Sequence, residues 1–83
     1  MKTFILMENI TKSKLKLVGS ADSLESLSQL VRKKMLWMEA RFELSQTRTV
    51  GKKPCYDVYN AKGLLERMVV YEDKGRYKFC RIF

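Results

Sequence analysis

Strict alternation of apolar and charged side chains marks the segment MEARFEL, residues 38–44. A period of two indicates a strand that buries one face. The polar segment SQTRTV, residues 45–50, extends this strand outward. A turn follows in GKKP, residues 51–54, and the segment CYDVY, residues 55–59, returns as a second strand. These segments together predict a long antiparallel hairpin.

The rest of the C-terminal half continues the same pattern. Residues 60–63, NAKG, read as a turn whose glycine can take a positive φ. Residues 64–72 are rich in Met, Val and Tyr and predict a third strand, which ends in a turn at residues 72–75. Residues 76–83 predict the last strand. The sequence therefore predicts a four-stranded antiparallel meander.

One helix is predicted ahead of this meander, over residues 22–36. Asp22 can accept a hydrogen bond from the backbone N–H of Glu25, whose side chain can reach back, as in a capping box. Cationic residues in the last turn complement the negative end of the helix dipole. One apolar stripe recurs at helical spacing, made of Leu24, Leu27, Leu30, Val31 and Met35.

The N-terminal segment predicts two further strands. Residues 4–7, FILM, read as a buried strand, residues 9–13 as a turn, and residues 14–18, KLKLV, as a half-buried strand. We expect the two strands to form a hairpin. The apolar run of residues 4–7 is too short for a signal-peptide core or a membrane span, so we expect an intracellular, cytoplasmic protein.

These elements predict an α+β fold in a single globular domain over residues 1–83. The expected sheet is antiparallel, has about five to six strands in the order β-β-α-β-β-β-β, and carries one helix packed on one face. The opposite face, or the tip of the long hairpin, is left for a partner.

Charge indicates the class of activity. Seventeen Lys and Arg residues face nine Asp and Glu residues, for a net charge of +8, and there is no histidine. A positive charge of this size favours an acidic macromolecular partner. The absence of histidine removes the commonest general base and metal ligand. We therefore expect a binding protein without enzymatic activity, cofactor, metal or membrane attachment, either monomeric or homodimeric.

Two cysteines, Cys55 and Cys80, are too few for the disulfide framework of a small secreted domain. The favoured expectation is two reduced, partly buried thiols on neighbouring strands. The alternative is a single disulfide, which requires those strands to pair side by side.

Three basic groups are candidate contact surfaces. The first is a ridge on the early strand, Lys12, Lys14 and Lys16, for which the alternative is protection of a sheet edge. The second closes the helix, Arg32, Lys33 and Lys34, and is better explained by the helix dipole. The third is the tip of the long hairpin, Arg48, Lys52 and Lys53. This tip is the preferred site, because lysines on an extended arm have no evident structural role.

Tyr59 is the remaining candidate contact residue. It lies three positions after Tyr56, on the opposite face of the predicted strand. One of the two rings is therefore expected to stay outside the core. An interface anchor and a core position are equally good explanations for Tyr59.

Two functions fit these features. A compact, basic, motif-poor domain resembles, in size and style, the small accessory proteins of phages and mobile elements, such as anti-CRISPR proteins, which act in the host cell. That resemblance implies docking on a protein or nucleoprotein complex and modulating it. The alternative is direct binding of DNA or RNA through the lysine ridge and hairpin tip. Charge along the chain favours the first, since residues 1–36 and 37–83 each carry +4.

Overall fold

The computed structural model describes residues 7–35 and 40–83, without the side chain of Met35. The strand predicted over residues 4–7 lies almost wholly outside this part, as do the predicted helix end at Leu36 and the first residues of the strand predicted at 38–44. The described chain is an α+β fold, as predicted. Its elements are β1 (Glu8–Ile10), β2 (Leu15–Ala21), α1 (Leu24–Met35), β3 (Arg41–Val50), β4 (Lys53–Tyr59), β5 (Leu65–Asp73) and β6 (Arg76–Ile82), with a 3-10 helix at Lys12–Lys14 between β1 and β2.

The six strands form one mixed sheet in the order β1-β3-β4-β5-β6-β2. The meander from β3 to β6 is antiparallel throughout, as the alternating sequence predicts. The sheet is not wholly antiparallel, however, because β1 runs parallel to β3, with Glu8 opposite Arg48. The parallel pair corrects the prediction of a purely antiparallel sheet.

The predicted hairpin between residues 4–7 and 14–18 lies partly outside the described residues, and the described strands on either side of the 3-10 helix do not pair with each other. β1 lies at one edge of the sheet and β2 lies at the other, where it pairs with β6. The segment predicted as a turn, residues 9–13, contains most of β1 and the start of the 3-10 helix. β1 takes its partner from β3, far along the chain, and a parallel pairing of this kind leaves no local pattern in the sequence.

The short link between the two edge strands bends the sheet. In a flat sheet, five strand spacings would separate β1 from β2 by roughly 24 Å. The five Cα–Cα steps from Ile10 to Leu15 span at most about 18 Å, and part of that link is a 3-10 helix with its shorter rise. The sheet must therefore curl around the face that the link crosses. We call this the inner face, and the other the helix face.

Each face carries its own apolar cluster. On β5, Met68 and Val70 lie on the helix face, whereas Val69 and Tyr71 lie on the inner face. Both sets are buried, which explains why β5 lacks a polar side along this stretch. The inner-face cluster is Ile10, Val50, Cys55, Val69, Tyr71, Cys80 and Ile82. The helix-face cluster is Leu27, Val31, Val58, Met68, Val70 and Phe79.

The helix is confirmed, with a different cap. α1 begins at Leu24, and Ser23 Oγ accepts a hydrogen bond from the Ser26 backbone N–H at 3.1 Å. Ser23, and not Asp22, therefore satisfies the first turn. The helix packs closely against Gly19 of β2, where a Cβ atom would lie 2.8 Å from Leu30 Cδ2. Glycine at this position lets helix and sheet approach each other.

Both thiols are free and buried. Cys55 lies on β4 and Cys80 on β6, and β5 separates them, so they are not on neighbouring strands. The side-by-side pairing that a disulfide requires is absent from this sheet. Burial raises the pKa of the Cys55 thiol to about 11, since desolvation disfavours the thiolate; the Asp57 carboxylate raises the pKa further, and Arg48 partly offsets this.

Alkaline pH should destabilise the fold through Cys55. Its thiol has an ordinary pKa of 9.0 when unfolded and about 11 when folded. As pH rises from 9.0 towards 11, the unfolded state ionises first, so the free energy of unfolding falls, by roughly 2 kcal/mol for this group. Cys55→Val should lose less stability over this range than the parent. Urea denaturation of both at several pH values measures the difference, and identical slopes would contradict it.

Candidate partner-binding surface: the basic end of the sheet

Two hairpin tips lie at the same end of the sheet. β3 and β5 run in the same direction, so the turn between β3 and β4 and the turn between β5 and β6 end up side by side. β1 also ends here, since Ile10 lies opposite Val50, and the 3-10 helix follows immediately. We call this region the basic end. Its charged residues include the cationic Lys12, Lys52, Lys53, Lys74, Arg76 and Lys78 and the anionic Glu72 and Asp73.

Each tip is a two-residue turn with an unusual lysine. Gly51 and Lys52 have φ values of 53° and 71°, and Lys74 and Gly75 have values of 53° and 80°. Two consecutive positive φ values are the signature of a type I′ turn, which favours Asn, Asp and Gly. A lysine in this left-handed conformation costs about 1 kcal/mol. Both lysine side chains are exposed, so the fold gains no buried contact from them.

Three lysines surround Asp73 on the inner-face side of the basic end. Lys78 Nζ donates a hydrogen bond to Asp73 Oδ2 at 3.0 Å, and Lys53 Nζ lies 3.6 Å from Oδ1. The hydrogen bond from Lys78 holds the pKa of Asp73 below its usual value, with further contributions from the charges of Lys78, Lys53 and Lys12. Lys12 Nζ also lies 6.0 Å from the centre of the buried Tyr71 ring.

Arg48 is not at the hairpin tip. It lies within β3, and its Nε donates to Asp57 Oδ1 at 2.8 Å, with a second donation from Nη2. Both side chains are 12% exposed. The reason is a register shift between Leu44 and Thr49, where Ser45 Oγ accepts the backbone N–H groups of Thr47 and Arg48. The irregular backbone breaks the period of two and places Arg48 on the inner face.

Lys52 and Lys53 do lie at the hairpin tip, although Lys53 is already the first residue of β4. The other predicted group is divided. Lys12 and Lys14 lie in the 3-10 helix and only Lys16 lies on β2, so the three do not form a ridge on one strand. Lys12 joins Lys53 at the basic end, whereas Lys16 pairs with Arg81 towards the other end of β6. β2 is an edge strand, as the protective explanation of these lysines requires.

Tyr59 lies at the opposite end of the sheet, half-buried, with the Arg41 guanidinium 5.0 Å from its ring centre. The helix-end group also has a structural contact, since Lys34 Nζ donates to the Val18 carbonyl at 2.9 Å. Sequence reasoning did not single out Lys74, Lys78 or Asp73. The Lys74-Gly75 pair in a predicted turn was the available signal, whereas nothing local joins Lys78 to Lys12 and Lys53.

The spatial distribution of charge differs from its distribution along the chain. Six cationic residues meet at the basic end, beside the anionic Glu72 and Asp73. They come from three separate segments: the 3-10 helix, the β3–β4 turn and the β5–β6 hairpin. Cations from both halves of the sequence therefore meet at one end of the fold.

Comparisons with protein-family models, curated proteins and solved structures find no match to this chain. Within residues 7–35 and 40–83, no helix is long and apolar enough to cross a bilayer. The same residues bring together no group of three or more side chains that could ligate a metal ion.

The Arg48–Asp57 pair should support the fold. Arg48→Met leaves a buried carboxylate unpaired and should reduce the free energy of unfolding by about 3–5 kcal/mol. The double variant Arg48→Met/Asp57→Leu removes both charges and should recover most of that loss. Chemical denaturation of the parent, both single variants and the double variant gives the coupling energy. A loss below about 1 kcal/mol for Arg48→Met would contradict a structural role.

Proposed function

We propose that this protein is a small, non-enzymatic binding protein that docks through its basic end on an acidic surface of a protein or nucleoprotein complex and modulates that complex. This is the mode of action of phage and mobile-element accessory inhibitors, such as anti-CRISPR proteins. On this proposal it acts in the cytoplasm, which is that of the host cell if a phage encodes it.

The observation that carries the proposal is the pair of left-handed lysines. Lys52 is the second residue of its turn and Lys74 is the first residue of the neighbouring turn, and both have a left-handed backbone that Asn or Gly would adopt more easily. Local rules of folding are broken mainly where function compensates the cost. Two exposed cations at adjacent tips of one charged surface can both contact the same anionic partner.

The surrounding residues make this surface selective for anions. Lys53 and Lys78 are held in place by Asp73, so part of the conformational entropy of two long side chains is lost before any partner arrives. The hairpins that carry the tips are anchored by the buried residues of β4 and β5. A rigid, preorganised set of cations loses little further freedom on binding, which favours affinity for a folded acidic surface.

Direct binding of DNA or RNA is the second candidate, and the concentration of charge favours it. The six cations at this end of the sheet suit contacts with phosphates. Such contacts give binding that is weak, insensitive to sequence and steeply dependent on salt.

Replacing the strained lysines should move stability and binding in opposite directions. Lys52→Asn/Lys74→Asn relieves two left-handed lysines and should raise the free energy of unfolding by about 1 kcal/mol in total. The same change should reduce capture of the partner complex from nuclease-treated lysate of the source organism. Arg32→Gln/Lys33→Gln, which removes the same charge from exposed positions on α1, is the matched control. Equal capture by both variants would contradict docking through the tips.

A salt titration separates the two candidates. Fluorescence anisotropy with labelled single- and double-stranded DNA and RNA, at about 50 and about 200 mM salt, measures direct binding. If the protein binds nucleic acid directly, we expect its affinity to fall at least tenfold between these salt concentrations, and more steeply the more phosphates it contacts. If the proposed function is right, we expect no measurable binding even at the lower salt and a captured complex that survives nuclease treatment.

A further inference from the structure

Asp73 is surrounded by more positive charge than one carboxylate can neutralise. Its oxygens face Lys78 at 3.0 Å and Lys53 at 3.6 Å, one oxygen for each ammonium. Lys12 contributes a third positive charge. The three side chains differ in exposure: Asp73 is 19% exposed, Lys78 is 34% exposed and Lys53 is 50% exposed.

The lysines retain donors for a further acceptor. Each ammonium carries three N–H groups. Asp73 accepts one hydrogen bond from Lys78 through Oδ2, and its Oδ1 forms an ion pair with Lys53. Within the described residues, neither ammonium donates a hydrogen bond to another protein group. The cluster therefore has unused positive charge and unused donors at a partly open position.

We infer that Lys12, Lys53 and Lys78 form a binding site for a carboxylate of an acidic protein segment, and that Asp73 occupies this site as an internal counter-ion in the free protein. The inference rests on the proposed function and deepens it by naming the chemistry of the partner. In the complex, a partner carboxylate shares the lysines with Asp73, whose negative charge limits the affinity.

Two observations favour a carboxylate over a nucleic-acid phosphate. The spacing of Lys53 and Lys78 already fits a carboxylate, which they hold with one oxygen each. The aromatic ring of the cluster, Tyr71, is only 6% exposed and lies beneath Lys12, so it offers no platform on which a base could stack.

A pair of neighbouring substitutions tests the site. Asp73→Asn and Glu72→Gln each remove one negative charge at the basic end. Glu72 is exposed and directly precedes Asp73 on β5, so the two side chains project from opposite faces of the strand. Binding of a fluorescein-labelled peptide of ten glutamates is measured by anisotropy at about 50 mM salt. We expect Asp73→Asn to tighten binding by about fivefold and Glu72→Gln by less than about twofold.

A second pair keeps the test independent of the folding of Asp73→Asn. Lys78→Gln should weaken peptide binding by about fivefold, whereas Arg81→Gln, on the same strand and exposed, should have less than a twofold effect. Adding Lys78→Gln to Asp73→Asn should abolish the gain. Circular dichroism at the temperature of the titration establishes that each variant is folded.

The outcomes separate this inference from the proposed function. Equal effects within each pair would overturn the carboxylate site, and if Lys52→Asn/Lys74→Asn still reduced partner capture, docking through the tips would stand. A gain by Asp73→Asn for a labelled DNA strand of twenty nucleotides, without a gain for the peptide, would assign the site to nucleic acid and overturn the inference. If neither the tip variant nor any substitution of the two pairs reduced partner capture, both the carboxylate site and docking through the tips would be overturned.

Discussion

The four-residue connection from Thr11 to Lys14 determines the shape of this protein. It joins strands at opposite edges of a six-stranded sheet and is too short to cross a flat one. The sheet therefore curls, and the curled face encloses a second apolar cluster beneath the link. A chain of this size gains two buried faces from a single sheet, one covered by α1 and the other by its own 3-10 helix and edges.

The same constraint assembles the charged surface. The link begins at the end of β1, beside the β3–β4 turn, and carries Lys12 over Tyr71 towards the lysines of β4 and β6. Charges that lie apart in the sequence thus meet around Asp73. Away from this end, the inner face holds the buried ion pair of Arg48 and Asp57. Paired ions support the fold, whereas the excess of lysine over carboxylate at the basic end is available to a partner.

The parts of the fold that depend on local pattern were predictable from the sequence. The β3–β6 meander and α1 follow from alternation, turn residues and a helical apolar stripe. The edge pairings were not predictable, because β1 pairs in parallel with the distant β3, and such a pairing leaves no local signal in the sequence. Arg48 was misplaced because the irregularity after Leu44 changes which face each residue occupies, and alternation alone does not reveal it. Lys52 and Lys53 were identifiable as tip residues, but the cluster around Asp73 was not, because its residues come together only in the curled sheet.

The two edge pairings join residues far apart in the chain, Glu8 with Arg48 and Leu15 with Ile82, whereas the hairpins close over short loops. Long loops are entropically costly to close, so the hairpins form readily and the edges depend on them. A nascent or partly unfolded chain can thus display the lysine tips without the site that Lys12 completes. Under the proposed function, a partner that binds the complete surface therefore selects folded molecules and shifts the population towards the folded, curled sheet.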